Sequence, residues 1–230
     1  MVEDTLKKRN YCDLNHPLIK AVADRLRTDD GDPEAIALRT FYFVRDRILF
    51  GFDLYQRKAS ETLEKGYGAC WNKSLLLTGL LRCNGIQARL GVIPVKRSFC
   101  KPAIGILHLM ANHPYHHVFV YAFLNNRWTI LDTVLDKTTY NTFFKPAGVQ
   151  WDIDWNGKDD VHLYTESVIG SPVMIMDIDK AIDERAGNTE MPRCLAVKAN
   201  RYVNGRLWRS AGGIAPECAS DQWVESEVKP

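Results

Sequence analysis

Cys70, His117 and Asp132 are the side chains of this 230-residue chain whose types and order could together perform nucleophilic chemistry. A thiolate nucleophile needs a base to take its proton, and the base needs a third group to fix its tautomer. Cys70 lies in the stretch Lys65 to Gly85, where Gly66 and Gly68 permit a tight loop and Trp71 to Arg82 reads as a mostly apolar helix. The cysteine therefore falls at a helix N-terminus. There the unpaired N–H groups and the positive end of the dipole favour a thiolate. On this stretch alone, a buried structural cysteine fits as well as a reactive one.

A predicted hairpin decides between the two. Tyr115 to Leu124 and Arg127 to Thr133 are β-rich runs joined by Asn125-Asn126. His117 shares a strand face with Phe119, Tyr121 and Phe123, while His116 shares the other with Val118, Val120, Ala122 and Leu124. The turn folds position 117 back to within about two residues of position 132, so imidazole and carboxylate can meet across the ladder. Singly, these would be a half-buried histidine and a strand-end aspartate. Jointly, with a cysteine at a helix start upstream, they form an acyl-transfer triad in the order Cys, His, Asp. The backbone N–H of Cys70 is one natural oxyanion donor, and Gln56, Trp71 and Asn72 are candidates for the second.

The elements that must position these groups can be read in order. His16-Pro17 opens a helix over Leu18 to Arg27, and Asp32-Pro33 caps another running to about Leu49. Ser60 reads as the N-cap of a short turn through Glu64, and Ile86 to Val95 as a strand. Lys96 to Pro114 is a long connection, with a short helix near Ile104 to Met110, that could shape a substrate site as a lid or be a plain insertion. Beyond Val134, strands are expected at Val161 to Tyr164, Pro172 to Met176 and Cys194 to Val203, the last turning at Asn204-Gly205.

Composition narrows the classes. Thirty basic residues stand against twenty-eight acidic ones, without the runs of like charge that mark a nucleic-acid or membrane surface. The N-terminus has no apolar leader, and nowhere do about eighteen apolar residues run together. The six cysteines form no C-x-x-C pair or zinc spacing, which reads as a reducing cytoplasm with five of them ordinary thiols. His16, His108, His113 and His162 have no ligand-spaced partner, so no metal or other cofactor is expected. Asp152, Asp154, Asn156 and Gly157 match the first half of a calcium loop, but Leu163 stands where its bidentate glutamate belongs.

The stretch Tyr67-Gly68-Ala69-Cys70-Trp71, then Leu80-Leu81-Arg82 and Gly85-Ile86-Gln87-Ala88-Arg89, then His117, Trp128 and Asp132-Thr133, resembles the transglutaminase-like core, a superfamily related to papain-like cysteine proteases. Val44 to Ile48 resembles the helix before that core, so the likeness covers Asp32 to about Asp136. Ala69 stands where animal transglutaminases often have glutamine, and Phe119 where tryptophan is common. The resemblance implies an α+β fold, with a helical N-terminal half and the cysteine's helix start packed on an antiparallel sheet. It also implies Cys70 as nucleophile, His117 as general base and acid, and Asp132 as orienting carboxylate. The expected organisation is a single domain over 1–230, with a core at 32–136 and an extension at 137–230 packed on it. The expected function is cysteine-dependent acyl transfer through a thioester on a small-molecule, peptide or carrier-bound acyl substrate, as amide hydrolysis or amide formation. A catalytically silent binding module is the alternative, and a structural protein working through its C-terminal third is a further one.

Overall fold

The computed structural model describes residues 10–185 and 193–210. His16 and Asp32 each precede a proline, which has no N–H to leave unpaired, and each opens a helix: α1 is Pro17–Leu26 and α2 is Pro33–Arg47. Asp32 accepts hydrogen bonds from the N–H groups of Glu34 and Ala35, both at 3.2 Å, satisfying two of the orphan donors of α2. The chain then makes β1 (Leu49–Phe50), α3 (Ala59–Lys65) and β2 (Tyr67–Gly68), with β1 and β2 paired in parallel.

Helix α4, Cys70–Cys83, is the centre of the core. Leu75, Leu76, Leu77, Leu80 and Leu81 point to more than one side and are all buried, because α1, α2, α3 and the sheet pack around this helix. Each such leucine removed from water is worth about 2 kcal/mol.

The main sheet is antiparallel, in the order β5-β4-β3-β6: β3 is Ala88–Val95, β4 Tyr115–Leu124, β5 Arg127–Leu131 and β6 Val173–Met174. Asn125 and Asn126 carry the β4–β5 turn with φ of 50° and 60°, the left-handed pair that a two-residue hairpin requires. The turn sets the register, pairing Phe123 with Trp128 and Val120 with Leu131. Ser74 Oγ donates to the Val118 carbonyl at 3.1 Å and so pins α4 to β4.

Several expectations are corrected. Ser60 is not an N-cap: α3 starts at Ala59, the Lys58 N–H is satisfied by Glu61 at 2.8 Å, and Ser60 Oγ donates to Asp13 at 2.6 Å. Cys194 to Val203 is not a strand but part of a helix, Arg193–Ser210, so Asn204-Gly205 is no turn. Its Val and Tyr suggested β structure, yet Ala199 and Val203, at helical spacing, are the buried pair. Val161 makes only a single bridge to Leu131, and the strand expected over Pro172 to Met176 shrinks to Val173–Met174. Lys96 to Pro114 folds into consecutive short helical turns, Arg97–Cys100, Lys101–Ile104 and Gly105–Met110.

Residues after Asp136 run back over the helices. The Tyr42 hydroxyl donates to the Trp155 carbonyl at 2.9 Å, Asn200 bonds both the N–H and the carbonyl of Phe52 at 2.8 Å, and Tyr11 donates to Asp179 and Asp183 at 2.9 and 2.8 Å. Among the described residues no helix is long and apolar enough to cross a membrane. Among the described residues Cys12, Cys70, Cys83, Cys100 and Cys194 form no disulfide, and Cys218 lies outside those residues.

Candidate active site

The cysteine loop is built by two glycines with different tasks. Gly66 takes φ of 67° to end α3, its N–H bonding the carbonyls of Thr62 and Leu63. Gly68 has ordinary backbone angles; a Cβ there would lie 2.6 Å from that of Asn72, so glycine is needed for close approach. Asn72 closes the structure: its Oδ1 accepts from the Ala69 N–H at 3.0 Å and its Nδ2 donates to the Leu54 carbonyl at 2.9 Å. Cys70 is thereby fixed as the first residue of α4, among the N–H groups that have no partner within the helix.

The hairpin brings the other two groups to it. With Val120 opposite Leu131, Asp132 comes off the end of β5 on the face that carries His117. His117 Nε2 and Asp132 Oδ2 are 2.5 Å apart, and both side chains are completely buried. Asp132 is held further by the N–H groups of Val134 at 3.2 Å and Leu163 at 3.4 Å. The imidazole lies between aromatic rings, Phe99 at 4.9 Å and Tyr164 at 5.5 Å, and Phe99 stacks in turn on Trp151.

Cys70 approaches the backbone beside the imidazole. Its Sγ lies 3.9 Å from the His116 carbonyl, and it is close enough to His117 to act on the charge of the imidazole. With Nε2 committed to Asp132, Nδ1 is the nitrogen left for the thiol; it is buried and has no hydrogen-bond partner. Burial alone would push the His117 pKa down; Asp132, by charge and hydrogen bond, and then Cys70 outweigh it, so the group is raised above its ordinary 6.5. The arrangement favours an imidazolium at His117.

The three side chains considered as oxyanion donors differ. Asn72 has both ends of its amide spent on the loop, and Gln56 Nε2 donates to the Arg185 carbonyl at 3.0 Å. Trp71 Nε1 is buried with no hydrogen-bond partner, its ring packed between Tyr55 at 5.2 Å and the Arg185 guanidinium at 5.1 Å. Among the described residues no group of three or more acidic, histidine or cysteine side chains is placed to hold a metal ion. In the calcium-like stretch, Asp154 instead pairs with Arg45 at 2.5 Å and Asn156 bonds Asp159.

Sequence reasoning did not find Phe99, Tyr164, Leu163 or Lys73. Phe99 lies in the long connection already suspected of shaping the site, whereas Tyr164 and Leu163 lie in a stretch without periodicity. Lys73 had a signal: a lysine among leucines in a helix expected to be buried.

With this geometry in hand, the family follows. Residues 20–133, about half of the chain, match the family model described as the transglutaminase-like superfamily, and the chain belongs to that superfamily. Its fold is one that usually carries cysteine hydrolase or transferase activity. Two solved structures are similar to it. One, described as a "putative cysteine protease" from Cytophaga hutchinsonii, is 17% identical with a TM-score of 0.40, over 55% of this chain and 39% of that one. The other, red sea bream transglutaminase, is 12% identical with a TM-score of 0.38, over 80% of this chain and 37% of that one. The chain thus spans less than two fifths of the length of either. A comparison of its sequence with curated proteins matches none.

Proposed function

We propose that this protein is a cysteine-dependent acyl-transfer enzyme with Cys70 as nucleophile, His117 as general acid and base, and Asp132 as the group that orients the imidazole. The observation that carries this is the buried His117–Asp132 contact at 2.5 Å, with the second ring nitrogen left for a cysteine at a helix start. The Cys70 thiolate attacks the acyl carbon of an amide or thioester, and the negative charge moves onto the carbonyl oxygen. The backbone N–H of Cys70 and the unspent indole N–H of Trp71 are the donors for that oxygen, each worth about 3 kcal/mol in the transition state. Collapse of the intermediate expels the amine or thiol, which takes its proton from the His117 imidazolium and leaves a thioester on Cys70. Water or an amine then attacks this acyl-enzyme, His117 takes up the attacker's proton, and the thiolate is released.

The acyl donor is a small molecule, a peptide or a carrier-bound group. Asp132 fixes the His117 tautomer and balances the imidazolium without itself accepting the proton.

A second reading, a catalytically silent binding module, is favoured by one observation: Cys70 is 2% exposed and His117 0%. Iodoacetamide labelling separates the two. An enzyme labels fastest at Cys70, with a rate that follows a thiolate formed below the range of a free cysteine, and Cys70→Ala removes that label. A silent module leaves Cys70 the slowest thiol or no faster than exposed Cys194.

A further inference from the structure

Lys73 lies wholly inside the protein, three residues after Cys70 on α4. Residues three apart share a helix face, and a buried ammonium is costly unless its charge is matched. Its Nζ donates to the Arg45 carbonyl at 3.1 Å, one of the last carbonyls of α2, which have no partner within that helix. The charged groups around it are Asp136, Asp46 and Asp132, which attract it, and the Arg45 guanidinium, which repels it.

Asp132 and Asp136 are themselves buried. Asp136 accepts from the Phe50 N–H at 2.9 Å, the Thr139 N–H at 2.7 Å and the Thr139 hydroxyl at 2.6 Å. Those donors are neutral and leave its charge uncompensated. Once Cys70 ionises, three anions (Cys70, Asp132 and Asp136) share this interior with the His117 imidazolium. The Arg45 guanidinium is paired with Asp46 and Asp154, and Lys73 is a further cation beside His117.

We propose that Lys73 is a positioning residue for the Cys70–His117 pair: its buried ammonium offsets Asp132 and Asp136, so that Cys70 can hold a thiolate beside them. This rests on the reading of Cys70 as the nucleophile. Burial brings the Lys73 pKa down to about 8 while Asp136, Asp46 and Asp132 resist the change, so the amine is still mostly protonated at neutral pH. A role confined to capping α2 needs only the hydrogen bond, whereas an electrostatic role has a sign.

The test is the pH dependence of Cys70 alkylation by iodoacetamide, read by peptide mass mapping, in the wild type, Lys73→Met, Asp136→Asn and the double variant. Lys73→Met moves the acid limb to higher pH by about one unit, and Asp136→Asn moves it to lower pH by a similar amount. The double variant, with net charge restored, returns close to the wild-type curve. Limbs that superimpose in all four proteins, or that move the same way in both single variants, overturn the proposal and leave the role of Cys70 standing. Should Lys73→Met fail to fold, Asp136→Asn decides by the same sign. A wild-type Cys70 with no limb below the free-thiol range defeats the nucleophile reading, and this proposal with it.

Discussion

Tyr164 holds its ring 5.5 Å from the imidazole of His117, although it lies well beyond residue 133, where the family segment ends. Its neighbour Leu163 donates its N–H to the carboxylate oxygen that faces His117. The later part of the chain thus contributes both a wall and a hydrogen bond to the His117–Asp132 pair. Tyr164→Ala is expected to cost about 3 kcal/mol in urea unfolding and to slow Cys70 alkylation. Truncation after Tyr140, which also removes Trp151 and Trp155, is expected to abolish cooperative unfolding. A truncated chain that folds and labels as fast as the whole one contradicts this.

The charge on His117 ties stability to pH. Because its folded pKa is raised above 6.5, the stabilisation it gives is fully present below about pH 6.5 and is lost as pH rises through the folded value. Lys73, whose pKa is lowered from 10.5 to about 8, works in the opposite sense, adding stability as pH rises between those values. The contribution of His117 is therefore read as the difference between wild type and His117→Gln. Denaturant unfolding at about pH 6 and about pH 10 should give a larger difference at the lower pH.

Gly68 tests the cysteine loop. A methyl group there meets the Asn72 side chain at 2.6 Å and Thr62 Cγ2 at 3.2 Å, and Asn72 can yield only by breaking its bonds to Ala69 and Leu54. Gly68→Ala is expected to cost about 1 to 3 kcal/mol and to slow labelling of Cys70, since it disturbs the cap that fixes the cysteine. Calorimetry and iodoacetamide kinetics on the same variant check both effects.

Arg45 is the latch between α2 and the segment around residue 154. It is buried, bonds the Ile153 carbonyl at 2.8 Å, and pairs with Asp46 and Asp154 at 2.7 and 2.5 Å. Arg45→Met leaves a buried carbonyl unpaired and should cost about 1 to 3 kcal/mol. Asp154 is more than half exposed, so Asp154→Ala should cost less than about 1 kcal/mol. With that carboxylate committed to Arg45, added calcium should leave the melting midpoint unchanged.

The parts of the fold that follow local rules were legible in the sequence. Asp32-Pro33 marks a helix start because cap and proline act within one turn, and Asn125-Asn126 marks the hairpin because both residues tolerate positive φ. From that hairpin, the turn alone brought position 117 back to within about two residues of position 132, where imidazole and carboxylate can meet. The fate of Arg193–Ser210 was not legible, because its β-branched and aromatic residues outweighed an Ala199–Val203 spacing whose meaning depends on what it packs against. Nor was the role of Asn72, whose side chain suits an oxyanion site as well as a cap until Leu54 is seen beside it. Tyr164 and Phe99 approach His117 from distant stretches, and no local pattern records such a meeting.

Intact-mass detection of an acyl-enzyme tests Cys70 most directly as a nucleophile. The wild type, incubated with a library of amides and thioesters and quenched in acid, should gain the mass of one acyl group, mapped to the peptide that carries Cys70. Cys70→Ala should gain none, and His117→Gln should accumulate the adduct far more slowly. A full library without an adduct on Cys70, or an adduct that persists in Cys70→Ala, contradicts the assignment.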